Sequence, residues 1–191
     1  GSISIFLIII LSDKIHRLLN FPSSSIFLKF LFFFNPFLWI LSNRYMSDLF
    51  GLSILMCIIF FLIKYIKNNS RTDLFTGFFI LGIAAGIRLS FLPFLFPILF
   101  YLFYKNKQQI HKMTLSLFCG VVLWLAPLIF ITGSENIFNL MINDSYGHFN
   151  KWGGTVLSSK MNLFERLIST VESIWADGMS GYWPGRHWIT I

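Results

Sequence analysis

Charge is scarce in this chain. Only 12% of its 191 residues are Asp, Glu, Lys or Arg, against 55% hydrophobic and 19% aromatic, and the mean hydropathy is +0.70. A soluble globular domain carries about 25% charged residues, so that class is excluded and a polytopic integral membrane protein is expected. Cysteine is equally sparse. Cys57 and Cys119 lie inside apolar blocks with no second Cys or His at ligand spacing, which argues against a metal site or a disulfide framework and for small core residues. The chain has no Walker motif, no dinucleotide fingerprint and no nucleophile elbow. An initiator Met and a signal-peptide layout are also lacking, and the first apolar stretch, 3–11, is too short to span a bilayer. Because 188–191 reads as the entry to another apolar segment, an internal piece of a longer protein is expected.

The charge that is present is sorted. Lys and Arg total 15 against 8 acids, a net charge of +7, yet the cations are parcelled into short loops rather than gathered on one surface, so the balance reads as membrane topology and not as nucleic-acid binding. Taking about 20 apolar residues per span, or about 17 for an upright helix, the apolar blocks are a partial helix at 3–11 and spans near 25–41, 49–63, 74–87, 89–104 and 113–132. A loop at 12–24 carries Lys14 and Arg17, Pro36 is a kink within its span, and Lys29 snorkels back toward Arg17.

The stretch 75–104 is too long for one upright helix and short for two full spans. Gly77, Gly82 and Gly86 precede Arg88, while Pro93 and Pro97 follow it, so the split falls at Arg88. Two half-blocks of about 15 residues reach about 22 Å each, short of the roughly 30 Å of hydrocarbon, and Arg88 is expected below the surface in a protein-lined recess. With that split, the loops holding Lys14 and Arg17, then Lys64, Lys67 and Arg71, then Lys105, Lys107 and Lys112 all fall on one side. The positive-inside rule makes that side cytoplasmic. The tail 133–191, with four Lys or Arg against five acids, falls on the other side. Within it, 161–176 places Met161, Phe164, Leu167, Ile168, Val171, Ile174 and Trp175 at helical spacing, as an amphipathic helix at the interface would. Tyr182, Trp183 and Trp188 follow as interfacial anchors. The expected fold is an all-α polytopic transmembrane bundle with a periplasmic loop that contains this helix.

Polar residues left on the outer side are the functional candidates. Arg44 and Asp48, four apart, form an i, i+4 pair on a continuing helix, and either start a helix at headgroup level or bind a ligand. Arg88 costs about 2.5 to 3.5 kcal/mol in an apolar segment unless it is paired. Its guanidinium suits a phosphate or pyrophosphate gripped through two parallel hydrogen bonds, the alternative being a structural pair with Asp48 or another acid. The segment 143–155 joins Asp144, His148 and Trp152 to a Gly-Gly pair. A Trp face beside polar groups is what a sugar site needs, although Gly-Gly alone marks a turn. Arg186 and His187 reach a lipid phosphate or anchor the chain at the headgroups, whereas His16 and His111 lie in cytoplasmic loops.

Three stretches carry a resemblance: Asn35-Pro36 through Ser42-Asn43-Arg44-Tyr45-Met46-Ser47-Asp48; Gly82 through Gly86-Ile87-Arg88-Leu89-Ser90 with Pro93; and Gly147-His148-Phe149 with Trp152-Gly153-Gly154-Thr155. In these the chain resembles the GT-C class of membrane glycosyltransferases, in the bacterial branch related to protein O-mannosyltransferases and the lipid A aminoarabinose transferase. The resemblance implies an enzyme of the bacterial cytoplasmic membrane that transfers a sugar from a polyprenyl-phosphate carrier to a lipid, glycan or protein acceptor on the periplasmic face. It maps the chain onto the second to seventh membrane helices and the large periplasmic loop. The acid that activates the acceptor in that family precedes residue 1, so no catalytic residue is assigned and Asp48 is not promoted to that role. Arg88, with Arg44 or Arg186, is the candidate for the carrier phosphate, and His148 and Trp152 for sugar or acceptor. Many members carry a lysine near the Arg88 position. No metal ligand is assigned, and involvement of a divalent metal stays open. Two other readings stay open as well: a transporter or flippase for a lipid-linked sugar, and a non-catalytic subunit of a polysaccharide assembly complex.

Overall fold

The computed structural model describes residues 1–21, 25–35, 38–39, 48–147 and 162–178, and among them the regular structure is helical, with no strand. The helices named here are α1 (Ser2–Leu18), α2 (Ser25–Phe33), α3 (Asp48–Asn68), α4 (Arg71–Ile87), α5 (Phe96–Lys105), α6 (Ile110–Thr132), α7 (Ser134–Tyr146) and α8 (Leu163–Glu172). A 3₁₀ segment, Leu89–Leu95, separates α4 from α5, and a π turn, Ser173–Gly178, continues α8. Two helices, α3 and α6 with its preceding turn (Lys107–Thr132), are long and apolar enough to cross a membrane. The chain divides into two compact units, Gly1–Pro127 and Leu128–Ile191.

The first unit is organised around α3. Asn69 takes a left-handed φ of 54° and its N–H donates to the Tyr65 carbonyl at 2.7 Å, a helix stop that Asn tolerates. The turn sends α4 back antiparallel to α3, so Lys64 pairs with Asp73 at 2.8 Å near one end while Gly51 faces Arg88 at the other. Leu55, Ile58, Leu62 and Tyr65 of α3 pack with Leu74, Phe78, Leu81 and Ala84 of α4, and Leu95, Leu102 and Met113 close the same core. A second cluster joins Ile5 and Ile8 of α1 to Leu38 and Leu49. Since Lys14 then stands 5.7 Å from the Phe60 ring, α1 runs parallel to α3.

Helix α6 lies against α4 at a backbone-to-backbone crossing. A Cβ on Gly82 would collide with the Leu117 carbonyl and stand 2.9 Å from the Gly120 Cα, and one on Gly120 would collide with the Phe79 carbonyl. Glycine is required at both positions because only a residue without a side chain admits the other backbone. The crossing is bracketed by two side-chain hydrogen bonds, from Ser116 Oγ to the Phe75 carbonyl at 2.7 Å and from Trp124 Nε1 to the Gly82 carbonyl at 3.0 Å.

The helices depart from the expected bounds in places. Helix α1 continues to Leu18 through the stretch expected as a loop, because Asp13 ties it down. Its carboxylate receives Arg17 one turn on and Lys29 from α2, both at 3.3 Å. Helix α2 ends at Phe33, just before Asn35-Pro36, where proline disfavours the helical region for the residue ahead of it; residues 38 and 39 are helical again, so the expected span is interrupted near its expected kink, and its end at 41 lies outside the described residues. Instead of one helix over 89–104, a 3₁₀ segment leads into α5, since Pro93 has no N–H for an α-ladder.

In the second unit, Gly133 adopts a positive φ of 83° and ends α6. Helix α7 follows, where the sequence pattern suggested no element, and Asn136 Nδ2 bonds the Thr132 carbonyl across the break at 2.9 Å. Helix α8 opens with a capping box: Asn162 accepts from the Glu165 N–H at 3.0 Å and Glu165 accepts from the Asn162 N–H at 3.1 Å. Phe164, Leu167, Ile168 and Val171 are all exposed.

Candidate functional site

The site is built at the α4 break. Helix α4 ends with Ile87, and Arg88 itself is extended, with φ −155° and ψ 89°. Its N–H still donates to the Ala84 carbonyl at 3.0 Å, while its own carbonyl accepts from the Phe91 N–H at 3.3 Å and starts the 3₁₀ segment. The break turns the Arg88 side chain toward the first turn of α3, where Asp48 meets it in an ion pair through Nη2. An acid in a first helical turn also sits favourably against the positive end of the helix dipole.

Gly51 makes this meeting possible. One turn after Asp48, a Cβ on Gly51 would stand 2.9 Å from the Arg88 Cβ and 3.0 Å from the Phe91 ring, so the arginine stem and Phe91 lie directly on the α3 backbone. Beneath them Ile54, Leu55, Ala84, Ile87 and Leu92 line a small apolar cavity of about 10 Å³ for a water centre, the room of roughly one water. The pair is half-sheltered, with 19% of the Asp48 side chain and 41% of Arg88 exposed. The buried Arg88 Nε has no hydrogen-bond partner among the described residues, so the guanidinium keeps donor capacity that Asp48 does not use.

The basic loops stand at the other end of this unit. Lys64 pairs with Asp73, the Tyr65 hydroxyl donates to Asn106 Oδ1, and Lys14 faces Phe60, which gathers the α1 end, the α3–α4 turn and the α5–α6 turn together. Among the described residues of this unit, nine of the ten Lys and Arg but only Asp13 and Asp73 of the three acids belong to this end, so it carries nine positive charges against two negative. Arg88 and Asp48 lie a helix length away from it.

Of the residues singled out from the sequence, the structure brings together Arg88 and Asp48. Arg44, His148, Trp152 and Arg186 lie outside the described residues. Asp144 is on α7, beside an apolar cleft lined by Leu128, Thr132, Ile137, Leu140 and Met141 of the second unit. Gly51 was not singled out; its signal was a small residue three positions after the only acid near that helix start. Among the described residues no three His, Cys, Asp or Glu side chains come together as a metal-ligand set. No family model matches the chain, and no curated protein or solved structure matches it either.

Proposed function

We propose that the chain belongs to a polytopic glycosyltransferase of the bacterial cytoplasmic membrane, one that moves a sugar from a polyprenyl-phosphate carrier to a lipid, glycan or protein acceptor on the periplasmic face. The membrane part of this reading is supported by two apolar helices of spanning length, by the exposure of α6, whose most apolar stretch is only 6% buried, and by the collection of positive charge at one end of the first unit. A bilayer orients such a molecule with the charged end in the cytoplasm. Arg88 and Asp48 then face the periplasmic half, and the tail follows on that side.

The observation that carries the functional reading is a single one: a guanidinium at a helix break, at the end away from the basic loops, anchored by an acid through one nitrogen. Transfer from a carrier is a displacement at the anomeric carbon with a lipid phosphate leaving, and it needs fixed positive charge where that phosphate departs. Asp48 orients Arg88, and the exposed part of the guanidinium, its side chain being 41% exposed, offers the remaining Nη donors to phosphate oxygens. Arg44 and Arg186 are the candidates to share that charge, and His148 and Trp152 to hold sugar or acceptor. Asp48 serves as a positioning residue and not as the base.

The test measures sugar transfer in membranes containing the full-length protein supplied with radiolabelled polyprenyl-phosphate sugars, comparing wild type, Arg88→Ala and Arg88→Lys at matched expression. Transfer by wild type, lost in Arg88→Ala and partly restored in Arg88→Lys, is the expected result. A wild type that transfers nothing yet moves labelled lipid between leaflets makes the chain a carrier instead, a role that broken helices around a cation also serve.

A further inference from the structure

The three basic turns at the cytoplasmic end are not alike. In the first, Asp13 pairs with both Arg17 and Lys29; in the second, Asp73 takes Lys64. The third, between α5 and α6, holds Lys105, Lys107, His111 and Lys112, and no acidic residue occurs anywhere between Asp73 and Glu135. Its cations therefore have no carboxylate of their own stretch to pair with.

The same turn is shaped rather than merely charged. Lys105 Nζ sits 5.8 Å from the Tyr101 ring centroid and Lys107 Nζ 5.1 Å from that of Tyr104, so both ammonium groups are held by aromatic faces. Asn106 is fixed between them by the Tyr65 hydroxyl and by its own bond to the Leu102 carbonyl at 2.9 Å. Residues 104–109 line an open hollow of about 380 Å³. Tyr101 and Tyr104 are 47% and 77% exposed, and Leu115 and Phe118 on the neighbouring stretch of α6 are exposed and apolar. Tyrosines at this level, with an apolar helix face beside them, are the surroundings of a phospholipid's headgroup and chains.

We propose that the α5–α6 turn is a binding site for an anionic phospholipid of the cytoplasmic leaflet, its headgroup phosphate held by Lys105 and Lys107 and its chains lying along Leu115 and Phe118. This rests on the reading that α6 crosses a bilayer. Charge complementarity selects the partner: an acid-free cationic turn, pre-arranged by tyrosines, meets the leaflet richest in negative headgroups. Each lysine near such a surface contributes about fivefold in binding, so the two together give about a 25-fold preference over a zwitterionic lipid.

The test reconstitutes the full chain into vesicles of phosphatidylcholine with about one part in four phosphatidylglycerol, a composition carrying the surface potential of an anionic leaflet. Flotation reports incorporation, and mass spectrometry of the gently extracted protein reports the retained lipid. Wild type is expected to float and to retain phosphatidylglycerol over phosphatidylcholine at about 25 times the ratio in the vesicle, so that about nine in ten retained lipids are phosphatidylglycerol. Lys105→Gln/Lys107→Gln should float and lose that enrichment, while Lys67→Gln/Arg71→Gln, which removes the same charge from the neighbouring turn, should keep it. Equal loss in both double variants, or no enrichment in a wild type that floats, overturns the site alone. A chain that fails to float overturns the membrane reading and the site with it.

Discussion

Replacing Gly82 by leucine strikes the α4–α6 crossing at its tightest point. The first added carbon already meets the Leu117 carbonyl and the Gly120 Cα, both backbone atoms that no rotamer change can move. The helices must separate, and the bonds from Ser116 to Phe75 and from Trp124 to Gly82 lengthen with them. Interhelical hydrogen bonds of this kind are worth about 0.6 kcal/mol each in membrane proteins, and overpacking adds about 1 to 3 kcal/mol. Against this, leucine recovers about 1 kcal/mol of helix propensity. The net destabilisation is about 1 to 3 kcal/mol, or about 5- to 150-fold in the unfolding equilibrium. Reversible unfolding in bicelles, titrated with a denaturing detergent and followed by tryptophan fluorescence, reads this directly. Gly82→Ala should lie between Gly82→Leu and wild type, and Phe118→Leu, at a position of α6 that is 59% exposed, should change little. A Gly82→Leu protein as stable as wild type would refute the crossing and the packing argument built on it.

Asp48→Asn leaves Arg88 half-buried without its counter-ion, and a loss of about 1 to 3 kcal/mol is expected, below the full value for a buried pair because the site is part-exposed; Asp48→Asn/Arg88→Gln should regain part of it in the same titration. Tyr65→Phe removes the hydrogen bond to Asn106 and should cost about 0.5 to 1.5 kcal/mol, with Asn106→Ala costing more because it also gives up the bond to Leu102. Cysteines placed singly at Lys67 and Gln108, in a background with Cys57 and Cys119 replaced, should label with a membrane-impermeant maleimide from the cytoplasmic side only, and one at Glu135 from the periplasmic side only; any other pattern removes the topology.

What the residues disclosed, and what they did not, divides along range of interaction. The break at Arg88 was legible because its causes are local: glycines before it and prolines after it act within a turn or two. The amphipathic repeat behind α8 was legible for the same reason, although its Asn162–Glu165 capping box escaped notice. Asp48 was already named as a possible partner for Arg88, but Gly51, the residue that lets them meet, offered only its small size three positions after Asp48, and its role shows once α3 and α4 are laid side by side. The extension of α1 to Leu18 was hidden similarly: Asp13, Lys14 and Arg17 read as a loop on polarity alone, and only the contact of Lys29 with Asp13 shows them as a packed helix end. Helix α7 was missed because its apolar and polar residues are mixed without a clear period.

The α4–α6 crossing also governs what can move. Helix α4 is clamped along its length, by Asp73 to α3 at one end and by the glycine contact with α6 further on, and two helices touching backbone to backbone leave no room for lipid or for sliding. The segment just beyond Ile87 is held differently, by side chains, with Phe91 against Gly51 and Leu95 in the core, and not by backbone contact. Its 3₁₀ turns hold by poorer hydrogen bonds than an α-helix, and Pro93 removes one donor more. On the proposed reading, a displacement that brings a lipid phosphate to Arg88 would fall in those seven residues, a softer joint beside a rigid post, and stiffening that joint would slow such a step without touching a single charge.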